Sequence, residues 1–113
     1  MTRAANLGFP RIGAKRELKR ATEAYWKGAT DAADLHAKAA RLRARHWMLQ
    51  NELGLDVIAS NDFSLYDQVL DITAMLGAVP ERFEHAGGDV DIDVYFAMAR
   101  GSRSVRAMEM TKW

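Results

Sequence analysis

Cysteine is absent from the 113 residues. Disulfides, thiolate zinc sites, iron–sulfur clusters and cysteine nucleophiles are thereby excluded, leaving oxygen and nitrogen chemistry. Proline occurs only as Pro10 and Pro80, and each marks a turn or loop. No apolar run approaches the roughly 20 residues that cross a bilayer. The start, MTRAANLGFPRIG, lacks the apolar core of a secretory signal, so a cytoplasmic setting is expected. No G-x-G-x-x-G, P-loop or serine–histidine–acid set is present.

What remains is an ordinary folding composition, 49% apolar and 27% charged, which argues against disorder and low complexity. The length suits one domain, 1–113, with one modest core. The net charge of +1 conceals an asymmetry: residues 1–50 carry 11 Lys/Arg against 4 Asp/Glu, and residues 51–113 carry 5 against 11. That pattern fits an anion-binding first half, or two halves with complementary fields.

Along the chain, Leu7 and Phe9 alternate before Pro10 and Gly13, which predicts a short strand entering a turn. Residues 15–27 predict a helix with Leu18, Ala21 and Tyr25 inward and a Glu23–Lys27 pair outside, ended by Gly28. A longer helix follows from Thr30 as N-cap to Gly54, with Leu35, Ala39, Leu42, Leu49 and Leu53 as its stripe and Lys38, Arg41 and Arg45 along an outer face. LDVIAS then predicts a buried strand. Ser64 is the expected cap of a helix to Leu76, with Asp67 at its capping-box position and Leu65, Val69, Ile72 and Leu76 as its stripe. A last helix is expected over 89–99, with Ile92, Tyr95 and Phe96 inward.

This βα order predicts an α/β fold with parallel pairing and helices packed outside. Two or three strands do not close a barrel of eight. The chain therefore reads as the opening part of a larger α/β domain that continues beyond Trp113.

Several groups are chemically suggestive. Arg16, Lys19 and Arg20 sit just past the first strand–turn–helix corner, where backbone N–H groups and the helix dipole favour anions. A guanidinium fork and a mobile ammonium suit carboxylate or phosphate, although a solvated basic face has the same composition. Asp56, Asp62, Asp67 and Asp71 cluster around a strand end and the helix after it, where Asp62 or Asp67 is placed to touch a ligand, with capping as the alternative. His36, His46 and His85 lack ligand spacing, so no metal site is expected; His46 continues a helix stripe as a partly buried residue. Tyr25, Trp26 and Trp47 lie on or beside apolar stripes rather than interleaving with basic residues, which disfavours nucleic-acid binding.

The segments NLGFPRIGAKRELKRATEAYW, RARHWMLQNELGLDVIASNDFSLYDQVLD, DIDVYFAMARG and MEMTKW resemble the start of the amino-terminal domain of cobalamin-independent methionine synthase, in one register from Asn6 to Trp113. The resemblance implies a pair of (β/α)8 barrels several times longer than this chain, which would then be a partial (β/α)8 TIM-type barrel, its first strands and helices only. It implies methyl transfer from 5-methyltetrahydropteroyl-polyglutamate to homocysteine, with zinc held by cysteine, histidine and glutamate in a carboxyl-terminal barrel. By the same resemblance, the RELK residues Arg16, Glu17, Leu18 and Lys19, together with Lys112 of EMTKW, inherit a folate-binding role. The piece is expected to bind the folate tail without catalysing and to need the remainder of the enzyme. Its GSRSVR stretch, 101–106, is shorter than the family's loop before the methionine–threonine–lysine–tryptophan signature. The competing expectation is a stand-alone regulatory module that binds polyanionic metabolites or nucleic acid.

Overall fold

Capping carboxylates set the starts of three of the four α-helices among the described residues. The computed structural model describes residues 1–108, and the chain divides into two units at Leu65/Tyr66.

In the first unit, α1 spans Glu17–Trp26 and α2 spans Ala32–Glu52. The cap of α2 is Asp31, whose side chain accepts from the Asp34 N–H at 2.8 Å. Thr30, expected in that role, keeps its hydroxyl buried without a hydrogen bond. A carboxylate one residue later wins because it adds charge to the acceptor at the positive end of the helix. Gly54 follows α2 with a φ of 84°, a left-handed value that releases the chain from the helix without a Cβ clash.

Leu18 of α1 packs with Ala39 and Leu42 of α2, and Phe63 and Leu65 close over them. Leu35 is fully buried. Each such leucine contributes about 1.5–3 kcal/mol by leaving water. The α2 stripe departs from expectation at its end: Leu49 and Leu53 are exposed, whereas His46 and Gln50 are buried. Gln50 is accommodated because its amide is used, accepting from Asn6 Nδ2 at 2.8 Å and donating to the His46 carbonyl at 3.1 Å.

Neither expected strand forms an extended ladder among the described residues. A single parallel bridge joins Ala5, just ahead of the first expected segment, to Val57 within the second, supported by Asp56 N–H and Val57 N–H donating to the Ala4 carbonyl. Isolated two-strand pairing is marginal in water, so little extended structure is gained without further strands. The direction is nonetheless parallel, and α1 and α2 lie between the two bridged segments in the chain.

In the second unit, α3 spans Gln68–Met75, a 3-10 turn spans Glu81–Phe83 and α4 spans Ile92–Arg100. Asp67 caps α3, accepting from Leu70 N–H at 3.0 Å, and Asp91 caps α4, accepting from Val94 N–H at 2.8 Å. Ser64 does not cap α3: its hydroxyl is buried without a hydrogen bond, and the helix begins three residues beyond the expected start. The face of α3 also differs, for Leu70 is buried while Val69, Ile72 and Leu76 are exposed. In α4, Tyr95, Phe96, Met98 and Ala99 are buried.

The Tyr95 hydroxyl donates to Asp71 Oδ1 at 2.6 Å and accepts from the Tyr66 N–H at 3.1 Å. It thus ties α4 to the start of α3. Burial, reinforced by Asp71, pushes the phenol well above its ordinary value, so it remains a donor.

Candidate functional site

The turn before α1 is built around a carboxylate. Gly13 has a φ of 88°, a left-handed value that favours glycine, and a Cβ added there would push the Glu17 carboxylate from its place. Arg16 N–H donates to the Gly13 carbonyl and Leu18 N–H to the Ile12 carbonyl, each at 3.0 Å. Arg16 itself is left-handed, with φ 58° and ψ 37°. For a residue with a Cβ this conformation is sparsely populated and persists where neighbouring interactions impose it.

Glu17 supplies such an interaction. Its carboxylate accepts from the Lys15 N–H at 3.1 Å and from Arg45 Nη2 at 2.9 Å. Its own backbone N–H at the helix start, followed by the Arg45 guanidinium, holds the Glu17 carboxyl down at about 2. Glu17 opens α1 while Arg45 lies in the second half of α2, and Ala21 and Lys38 border one groove, so the helices run antiparallel.

Beside this ion pair lies a groove of about 470 Å³ with Leu18, Ala21 and Leu42 as its floor and Arg20 and Arg41 on its rim. Lys38, also at the rim, is paired with Asp34 at 2.7 Å. Glu17, Arg41 and Arg45 border a second hollow as well, lined by Phe9, Lys15 and His46. Chemically, an apolar floor under guanidinium groups suits a chain of carboxylates joined by short hydrocarbon links.

The sequence-derived site residues separate into different environments. Arg16 is exposed and carries no ion pair among the described residues. Lys19 is half-exposed and reaches Glu23 at 3.7 Å, in place of the expected Glu23–Lys27 pair. An exposed pair of this kind is worth at most about 1 kcal/mol, so Lys19 is readily recruited by another anion. Leu18 is 1% exposed and fills the core, supporting the turn from below rather than offering its side chain to solvent. Glu17 is engaged with Arg45, and Lys112 lies outside the described residues. Sequence reasoning placed Arg41 and Arg45 on an outer face of α2 without joining that face to the basic side of α1. The antiparallel hairpin implied by the short connection after Gly28 carries that signal.

The four acids act on backbone or on Tyr95. Asp56 Oδ2 accepts from Ala4 N–H and Asp62 Oδ2 from Phe9 N–H, each at 2.7 Å. Asp67 caps α3 and Asp71 holds Tyr95. His46 packs its ring against Phe9 at a centroid distance of 4.8 Å, and burial lowers its pKa from the ordinary value. No group of three or more histidine, aspartate or glutamate residues among the described ones is placed to hold a metal ion. With cysteine absent as well, the residues present do not fit the zinc site of the resembled family. Arg43 covers Trp47 at 5.6 Å, and Trp47 Nε1 donates to the Ala59 carbonyl, so this indole is occupied rather than offered to a base.

These features define a helix-hairpin unit with a basic turn and groove. The chain belongs to the cobalamin-independent synthase family, whose N-terminal domain it matches over residues 3–113. It is 60% identical to a 5-methyltetrahydropteroyltriglutamate–homocysteine methyltransferase from Salinibacter ruber, covering 100% of this chain and 16% of that protein. Proteins of the same name from Acidithiobacillus ferrooxidans and Mesembryanthemum crystallinum are 54% and 56% identical, over 100% and 95% of this chain and 14% of each relative. The chain therefore spans about one-seventh of the length of these curated relatives.

Proposed function

We propose that this chain supplies part of the folate-binding surface for methyl transfer from 5-methyltetrahydropteroyltriglutamate to homocysteine, the activity named for its relatives. The observation that carries the reading is the exposed Arg16 guanidinium, without an ion pair among the described residues, on a left-handed turn at the start of α1, with Lys19 one turn along. A γ-linked glutamate tail presents several carboxylates. Arg16 engages one through its fork, Lys19 exchanges its weak partner for another, and the backbone N–H groups opening α1 add their dipoles. Lys112 joins them by resemblance alone.

On this reading the residues here bind and orient the folate and perform no bond-making step. Zinc and homocysteine belong to polypeptide outside these 113 residues, in a cytoplasmic enzyme where the parallel Ala5–Val57 pairing extends into a (β/α)8 barrel. The test is a chimera in which this chain replaces the matching segment of the Salinibacter ruber relative. Arg16→Ala and Lys112→Ala should each raise KM for the triglutamate folate about 5- to 50-fold, as expected for loss of a charge-assisted contact, with kcat little changed. Unaltered folate dependence in both variants would refute the assignment.

A further inference from the structure

We infer that Arg45 is a positioning residue, acting through Glu17 to hold the turn over residues 13–16 in the conformation that presents Arg16 to an anionic tail. The inference deepens the proposed function and rests on it. Three contacts converge on one carboxylate: the Lys15 N–H from within the turn, the close approach of Gly13, and Arg45 Nη2 from another helix 28 residues away. Arg16 lies inside that loop in a left-handed conformation that its own side chain does not favour.

Without the Arg45 contact, Glu17 is free to leave Gly13, and among the described residues the backbone bonds of the turn are what still restrain Lys15 and Arg16. The side-chain arm of the restraint then disappears, and the turn can relax toward ordinary right-handed dihedrals. Arg45 also borders the groove beside Arg20 and Arg41, so direct ligand contact is the alternative role for the same side chain. Engagement of its Nη2 by Glu17 favours the indirect role.

The experiment measures affinity of the chimera described above for 5-methyltetrahydropteroyltriglutamate and for its monoglutamate. Wild type should prefer the triglutamate and Arg16→Ala should lose that preference; if either fails, the folate-tail reading itself is wrong. Granted that preference, Arg45→Met and Glu17→Gln should each weaken triglutamate binding at least 5-fold and leave monoglutamate binding within 2-fold. The double variant should be no weaker than the worse single one, because both changes cut the same restraint. Arg45→Lys, which keeps the charge without the fork, should recover part of the loss. It also carries the test if circular dichroism shows Arg45→Met unfolded, with at least a 2-fold loss then expected. Triglutamate affinity within 2-fold of wild type in a folded Arg45 variant, or losses that multiply in the double variant, would overturn the positioning role.

Discussion

In residues 1–65, α1 and α2 turn their stripes toward each other and leave Leu18, Leu35 and Leu42 at 5% exposure or less. In the second unit, α3 buries Leu70 but leaves Val69, Met75 and Leu76 about 70% exposed. The contrast follows from length and pattern. A helix of 21 residues has room for a long inward stripe opposite a basic face, whereas the eight residues of α3 carry apolar side chains on several sides. Charge divides the same way: residues 1–65 hold 11 Lys/Arg against 7 Asp/Glu, and residues 66–113 hold 5 against 8. The first unit is thus the better suited to anions. The second builds its core chiefly on α4, with Tyr95, Phe96, Met98 and Ala99 buried beside Leu70.

The largest expected effect separates the two packings. Leu35→Ala should destabilise the chain by about 2–5 kcal/mol through lost burial and a residual cavity, whereas Val69→Ala should stay within about 0.5 kcal/mol. Denaturant unfolding of both variants checks this, and equal losses would erase the contrast. A smaller change is expected for Tyr95→Phe, about 1–3 kcal/mol, since it leaves Asp71 and the Tyr66 N–H without their shared partner. Hydrogen exchange should then rise first in α3 rather than in α1 or α2.

The smallest effect is a pH dependence in the first unit. With its folded pKa lowered from 4.5 to about 2, Glu17 contributes stability that is fully present above 4.5 and is lost as pH falls toward 2. Glu17→Gln should flatten that part of the pH–stability curve, measured by urea midpoints, and should bring the variant below wild type at pH 7, where the contribution is fully present, with the gap closing as pH falls toward 2. A curve for the variant parallel to wild type between pH 4.5 and 2 would contradict the assignment.

Helix order and the inward set Leu18, Leu35, Leu42, Tyr95 and Phe96 were legible in the sequence because 3.6-residue periodicity survives without tertiary information. Caps were legible to within a few residues: Asp31 and Asp67 displaced Thr30 and Ser64, a competition between acceptors that residue type alone ranks poorly. NLGFP and LDVIAS have strand composition, yet among the described residues the pairing is the single Ala5–Val57 bridge, because a ladder depends on neighbours that composition does not reveal. The basic turn was legible as a cluster at Arg16, Lys19 and Arg20. Its link to Arg45 was not, because that contact depends on how two helices face each other across 28 residues.

The central claim, that the turn opening α1 holds a polycarboxylate tail, is tested most directly by mapping backbone amide NMR shifts as γ-linked triglutamate is added to the isotope-labelled chain. The account predicts saturable shifts concentrated at residues 13–20, weakened by salt and removed by Arg16→Ala. Shifts concentrated instead in residues 66–108, or an Arg16→Ala spectrum that responds as wild type does, would contradict it.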